Sequence, residues 1–481
     1  MAAAAFLLPA GGLGAASRGL AAARPQTAIR SAFTPGLFAA ARPMRAASSA
    51  LMMATSTYKV VVLGGGNAAG YVAKSLVEAS PDTSLCIVGR EEVLPYERPA
   101  LSKAFLFADP PARLPGFHTS VGGGGVRQDA AWYADAGVDV KLSTEVTGVD
   151  VTTKTLTTAA GDTVVAEDAL IIATGAAPIA LTKTPGWGLD GVYTLRENAE
   201  GLRLYDALQA AKGEPVVVVG GGYIGMEVAA AAATVGCQVK MIYPDKHMMP
   251  RLFTPEIASH YEKYYTDKGI ELLYDGRLCE EILGDDEGKV RGVVMCKDGE
   301  KTEVAAKVVV VGVGARANTQ LFDGAVEMEA GGIKVNGSLE SSAAGVYAIG
   351  DVATFPLAMT GGMTRMEHVQ NARETAAHAV ASILGKSSGD YDYLPYFYSR
   401  VFDLGWKFYG RNEGTSVTVG NLKDGLASVW VDDGKAVGVF MEGGSDADTA
   451  AMVALARNCP AVDVGALKAA TSAAELLAAC A

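Results

Sequence analysis

The chain has 481 residues, 49% hydrophobic and 20% charged, a globular composition long enough for about two to four domains. Its formal net charge of −12 argues against a duplex nucleic-acid partner, because neutralising phosphates requires basic surface. No apolar run reaches the roughly 18 residues that a spanning helix needs, so stable membrane insertion is not expected.

Residues 1–54 read as an organelle transit peptide. They are rich in alanine with scattered serine, carry Arg18, Arg24, Arg30, Arg42 and Arg45, and hold no Asp or Glu, the first acid being Glu78. Loss of those five arginines would take the charge from −12 to about −17. A plastid (chloroplast) is favoured, with a mitochondrion as the alternative. A secretory signal fits less well, because no basic residue precedes the apolar Ala2–Leu8 stretch.

The folded part is expected from Tyr58, with Lys59–Leu63 a β-branched strand, Ala68–Ala79 a helix and Ser84–Val88 a second strand. Between the first two lies Gly64-Gly65-Gly66-Asn67-Ala68-Ala69. In a dinucleotide fingerprint Gly64 makes the tight turn, Gly66 lets backbone approach a pyrophosphate, and Ala69 lets helix pack on strand. The helix N-terminus then faces the phosphates with unpaired N–H groups. Alone, the motif is equally a glycine turn after a strand. Glu91, just past the second strand, stands where such a fold places its ribose acceptor, although Glu92 competes for that role and a solvated loop is the bland alternative.

The prolines of Pro95–Lys103 bar a long helix or a central strand. Arg98 and Lys103 there would donate charge-assisted bonds to a pyrophosphate or flavin, or the loop is a solvated turn. Leu170–Gly175 is an apolar strand ending in Ala-Thr-Gly. The opening pattern then returns as Pro215–Val219, Gly220-Gly221-Gly222-Tyr223-Ile224-Gly225, an alanine-rich helix and the strand Gln238–Tyr243. Two such units in one chain point to dinucleotide binding. Asp245, about 20 residues past Gly225, would accept from a ribose 2′-OH and repel a 2′-phosphate, favouring NADH, with NADPH weaker but possible given Lys246 and Arg251 nearby.

Lys307–Val311 leads into Gly312-Val313-Gly314, and Gly345–Ala353 delivers Asp351 at the end of an apolar strand. A carboxylate buried there needs donors, which the ribityl hydroxyls of a flavin would supply. A helix through Arg373 is expected to run to about Ile383, followed by a polar linker, Gly385–Asp390. From Tyr391 a smaller α+β region follows, with strands such as Ser416–Val419 and Ala427–Val431 and a closing alanine-rich helix. Tyr391–Tyr398 is the densest aromatic cluster, whose usual fate is core packing, with one ring able to line a flavin pocket. The six cysteines, Cys86, Cys237, Cys279, Cys296, Cys459 and Cys480, form no C-x-x-C or C-x-x-x-x-C pair and read as free thiols acting as small hydrophobes.

Taken in order, these motifs resemble the two-dinucleotide-binding-domain flavoprotein oxidoreductases of the glutathione-reductase superfamily. The implied fold is α/β: two Rossmann-like dinucleotide-binding domains and a small α+β C-terminal domain. The FAD domain, 55–189 and 314–389, is interrupted by an inserted NAD(P)H domain, 190–313, and residues 390–481 form the C-terminal domain. Within that superfamily residues 58–481 resemble the plant and algal monodehydroascorbate reductases. The resemblance rests on Pro95–Lys103 (PYERPALSK), Pro111–Val121 (PARLPGFHTSV), Met249–Phe253 (MPRLF), Gly350–Pro356 (GDVATFP) and Tyr391–Arg400 (YDYLPYFYSR).

The resemblance implies that Gly64, Gly66, Glu91, Arg98, Lys103, Val146, Arg196, Asp351 and Val369 contact FAD, with Gly65 and Ala69 completing the turn. It places NADH on Gly220, Gly222, Tyr223, Ile224, Gly225, Asp245, Arg251, Gly312, Glu367 and His368. Arg373 would hold the monodehydroascorbate radical, and Tyr398 would stand beside the flavin where electrons leave. The chain departs from the plant pattern at Asn67-Ala68 and at Gln370-Asn371, which replaces an acidic residue and a histidine. No metal is expected. Without a cysteine pair a disulfide relay is excluded, so NADH would pass a hydride to FAD and electrons would reach two radicals one at a time. Arg373 suits a small anion as a permanently charged, bidentate donor, although the residue alone would read as a weak helix-surface salt bridge. A ferredoxin- or rubredoxin-type reductase and a flavoprotein of the apoptosis-inducing-factor type are the alternatives.

Overall fold

The computed structural model describes residues 53–111 and 127–480. The transit-peptide reading, but for its last two residues, and all of the Pro111–Val121 run after Pro111 lie outside the described residues.

The first sheet is built around Thr55–Leu63, longer than expected because residues 55–58 also pair, with Thr163–Ala166. It runs parallel to Leu85–Val88 on one side and to Thr163–Ile172 on the other. Val138–Lys141 extends the first side, and Val346–Ala348 returns from far along the chain to pair with Leu170–Ile172. Both faces of the central strands are covered, which is why Val60–Leu63, Leu85–Val88 and Leu170–Ile172 are uninterrupted apolar runs, all buried. Helices Asn67–Ala79 and Val369–Ile383 pack against each other and share this core.

A second parallel sheet has the order Glu271–Leu273, Gln238–Ile242, Pro215–Val219, Val308–Val311, Val192–Tyr193. Its strands thus fall between two contributions to the first sheet. Flanking it in the sequence, Ala176–Pro178 and Ala315–Ala317 form one antiparallel pair. A three-stranded antiparallel sheet, Leu278–Gly284, Val290–Lys297 and Glu300–Ala305, shares an apolar cluster with it.

The C-terminal region is a five-stranded antiparallel sheet, ordered Tyr396–Val401, Leu404–Gly410, Lys435–Glu442, Gly425–Asp432, Thr415–Asn421. The closing helix, Ala473–Ala478, is the last of three, after Asp446–Asn458 and Val464–Ala469. Pro460 and fresh caps at Asp463 and Ser472, each accepting from a backbone N–H, divide the alanine-rich stretch. This sheet does not form its core alone. Trp406 and Phe440 pack edge-on against Phe253 of the nucleotide-sheet region, and Tyr261 donates a hydrogen bond to Glu442.

The two glycine turns repeat one hydrogen-bond pattern. Gly64 N donates to Val88 O and Ala173 N to Leu63 O, while Gly220 N donates to Ile242 O and Gly312 N to Val219 O, all at 2.8 Å. Gly64 and Gly220 have φ of +124° and +123°, and a Cβ on either would stand 2.2 or 2.3 Å from the carbonyl oxygen of Ala173 or Gly312. Only glycine meets both demands. A Cβ on Gly225 would lie 2.2 Å from Gly220 O, whereas Ala69 occupies the corresponding position of the first turn, fully buried. Gly225→Ala is therefore expected to push the helix Tyr223–Val235 off its turn and destabilise the protein by about 1–3 kcal/mol. A urea-unfolding midpoint equal to wild type would show that the second turn has the room the first one has.

Candidate active site

A cleft of about 1410 Å³ is lined by both glycine turns, by Ile349–Asp351, by Met363–Val369 and by Pro395, Phe397 and Tyr398 of the C-terminal sheet region. A single small-molecule pocket is typically roughly 300–1,000 Å³, so this one has space for more than one ligand.

At the first turn the Arg98 guanidinium lies beside Gly66, 3.4 Å from where a Cβ would be. Arg98 ion-pairs with Glu91, and its Nη1 donates to Arg196 O at 2.8 Å. The other Glu91 oxygen accepts from Tyr96 OH at 2.8 Å and Asn198 N at 3.3 Å. Asp351 pairs with Arg196 at 2.7 Å. A bare turn, an adjacent cation and two carboxylates at strand ends suit a cofactor with a pyrophosphate and several hydroxyls. At the second turn the space around Gly222 is open, with no atom within 4 Å of its would-be Cβ, and Asp245 and Arg251 line the same cleft. These residues fit a dinucleotide at each turn.

Glu227, which sequence reasoning missed, lines the same cleft. It is 3% exposed, on the helix Tyr223–Val235. Lys103 Nζ donates to its Oε2 at 2.8 Å, Ser102 Oγ donates to the same oxygen, and Ser399 Oγ donates to Oε1 at 2.5 Å. Removing one partner of so buried a pair typically costs about 3–5 kcal/mol, since the other charge stays buried. The available signal was a lone acid in an otherwise apolar helix. Lys103 Nζ also stands 5.7 Å from the ring centre of Tyr398, a cation–π arrangement at the cleft wall.

His368 caps the helix Val369–Ile383, its Nδ1 accepting from Gln370 N at 3.3 Å. Its ring meets Tyr396, Phe397 and Tyr398 edge-on, each at 5.3 Å. Burial, with Lys103 and Arg373 nearby, pushes its pKa down to about 3. At neutral pH the ring is uncharged, and with Nδ1 accepting, the proton is on Nε2. Burial likewise pushes the thiol of Cys86 up to about 12 and those of Cys237, Cys279 and Cys480 up to about 11. All six cysteines are unpaired, and Cys279, which lines the cleft, stays a thiol at neutral pH.

Of the residues expected at the site, all but three line the cleft: Gly64, Gly65, Gly66, Glu91, Arg98, Lys103, Val146, Arg196, Asp351, Val369, Gly220, Gly222, Tyr223, Ile224, Asp245, Arg251, Gly312, Glu367, His368 and Tyr398. Ala69 and Gly225 are two of the three: each faces the strand–turn backbone, where a small residue allows close helix approach. Arg373 is the third. It is not an exposed helix-surface ion pair but is held at 2.7 Å by Glu97, with side chains 12% and 1% exposed, while His368, Val369 and Ala372 of its own segment form the cleft wall. Asn67 and Gln370, both at departures from the plant pattern, meet at this pair: Asn67 Nδ2 donates to Glu97 at 2.8 Å and Gln370 Oε1 lies 3.5 Å from Arg373 Nη1. In the aromatic cluster, Tyr391 and Tyr393 are core, whereas Tyr398 reaches the cleft.

The family model described as pyridine nucleotide-disulphide oxidoreductase matches residues 58–376, and that of the monodehydroascorbate reductase 3-like C-terminal domain matches residues 394–473. The chain is 44% identical over 419 residues to a monodehydroascorbate reductase of Pisum sativum, covering 85% of this chain and 96% of the relative. It is 44% identical over 424 residues to a chloroplastic one of Oryza sativa subsp. japonica, covering 86% and 85%. Among solved structures it resembles a ferredoxin reductase of Rhodopseudomonas palustris, with a TM-score of 0.71 at 30% identity, covering 80% of this chain and 91% of that one. The chain belongs to the pyridine nucleotide-disulphide oxidoreductase family and, within it, to the monodehydroascorbate reductases.

Proposed function

We propose that the chain reduces the monodehydroascorbate radical to ascorbate with electrons from NADH, using FAD as the carrier and no redox-active disulfide. The observation that carries this reading is one cleft lined by two dinucleotide turns and Tyr398, in a chain whose cysteines form no pair. The names of its relatives support it. Overall, one NADH and one proton convert two radical anions into two ascorbate monoanions. FAD, when bound, accepts a hydride equivalent and releases its electrons singly.

The chain's own residues bind, orient and shield. Gly64, Gly65 and Gly66 would present backbone to the FAD pyrophosphate, with Arg98 as cation and Glu91 and Asp351 as hydroxyl acceptors. Val146, Arg196 and Val369 would wall the same site. Lys103, held in place by Glu227, would stand where the two cofactors meet. Gly220, Gly222, Tyr223, Ile224 and Gly312 would take NADH, with Asp245 and Arg251 at its adenosine end and Glu367 and neutral His368 toward the nicotinamide. Tyr398 would border the site of electron exit, and Arg373 would attract the anionic radical. The same reading divides the chain into an FAD domain, 55–189 and 314–389, an NAD(P)H domain, 190–313, and a C-terminal domain, 390–481. It also assigns residues 1–54 to plastid import, supported by their arginine-bearing, acid-free composition and by chloroplastic relatives.

Purified protein with FAD is expected to oxidise NADH rapidly when ascorbate and ascorbate oxidase generate the radical, and slowly with a ferredoxin acceptor. The reverse preference would instead establish the ferredoxin-reductase alternative, which the solved relative brings to mind.

Asp245 shares the cleft wall with two cations, Arg251 and Arg277. Asp245→Ser removes the charge that repels a 2′-phosphate and leaves both arginines. The NADPH-to-NADH ratio of kcat/KM is expected to rise by about tenfold or more, equivalent to about 1.4 kcal/mol. An unchanged ratio would take Asp245 out of nucleotide selection.

A further inference from the structure

We infer that Glu97 is a positioning residue for Arg373, fixing the orientation and effective charge of the guanidinium that attracts the anionic substrate. The inference rests on the role proposed above for Arg373. Glu97 belongs to the proline-framed loop and is 2% exposed. Its Oε1 accepts from Arg373 Nη2 at 2.7 Å and from Tyr71 OH at 2.8 Å, and its Oε2 accepts from Asn67 Nδ2 at 2.8 Å. Asn67 and Tyr71 lie on the helix that opens at the first glycine turn, and Arg373 lies on Val369–Ile383. One carboxylate therefore ties the loop to two helices.

Such burial does little for stability, because desolvating both charges largely cancels their attraction. What the arrangement does is fix geometry. Arg373 Nη2 is taken by Glu97, and the guanidinium carbon stands 5.3 Å from the Tyr71 ring centre. Burial, with Glu97 beside it, raises the Tyr71 pKa, so the phenol remains a neutral donor to the carboxylate. Donor capacity remains on Nη1, which meets Gln370 Oε1 only at 3.5 Å, the outer limit of a hydrogen bond, whereas Nε is buried with no partner among the described residues. The guanidinium also acts on the cleft wall, since it helps to hold neighbouring His368 uncharged. The cation proposed to attract the radical thus has its position set by Glu97.

The test is a double-mutant cycle on the FAD-loaded enzyme, built from Glu97→Gln, Arg373→Gln and the double variant. The double variant carries neither buried charge and stays measurable should Arg373→Gln alone fold poorly. A radical KM raised in Glu97→Gln but not above that of the double variant then supports the inference, and one equal to wild type or above the double variant overturns it. Flavin absorbance and the thermal midpoint check each protein. Glu97→Gln is expected to raise the KM for the radical by about three- to tenfold, the difference between a charge-assisted and a neutral hydrogen bond, with the KM for NADH within about twofold of wild type. Glu97→Gln is expected to add nothing further to the radical KM in the Arg373→Gln background. An unchanged radical KM in Glu97→Gln, or an equal effect with and without Arg373, overturns the inference while leaving the proposed reaction standing. A wild-type enzyme indifferent to the radical overturns both.

Discussion

The cleft depends on one buried carboxylate. Glu227 is carried by the helix of the second glycine turn and takes hydrogen bonds from Ser102 and Lys103 of the proline-framed loop and from Ser399 of the C-terminal sheet. A charge with 2% of its side chain exposed is tolerated only if paired and fully bonded. The three segments must therefore reach it together. Their meeting point is also where Lys103 faces Tyr398 in the wall of the cleft that both glycine turns line.

The same logic recurs around the cleft. Glu91 is paired with Arg98 and Asp351 with Arg196 in the cleft wall, and Glu97 with Arg373 just behind it. Opposed charges so arranged keep the polar wall ordered while leaving hydrogen-bond capacity for a ligand. His368 makes the complementary case: it lies among cations and stays neutral because burial disfavours a further positive charge. The thiols are silent for the same physical reason, since burial holds Cys86, Cys237, Cys279 and Cys480 in the protonated form. Electron transfer through cysteine has no pair to use, and these four thiols offer no ready thiolate.

Local patterns were legible wherever backbone geometry alone dictates residue type. The strand before each glycine turn, the turn itself and the following helix could be placed within a few residues, because φ near +120° and close carbonyl approach leave no choice but glycine at Gly64 and Gly220. Ala69 and Gly225 face strand and turn, the packing role that the fingerprint gives its third position, and neither lines the cleft. The C-terminal helices were harder, since Asp463 and Ser472 act as caps only once the chain turns at them.

By itself the sequence determined the two dinucleotide units, the return to Asp351 and the absence of a cysteine pair. Each is a matter of short-range spacing or of residues that are simply not there. Tertiary structure alone decided which charges meet. Glu227 lies 124 positions from Lys103, and Glu97 lies 276 from Arg373, separations over which no periodicity carries information. It also decided that Tyr398 reaches the cleft while Tyr391 and Tyr393 fill the core, because a ring's fate depends on what packs against it. The turns were local and could be read; the ion pairs that hold the cleft together exist only where distant segments are brought into contact.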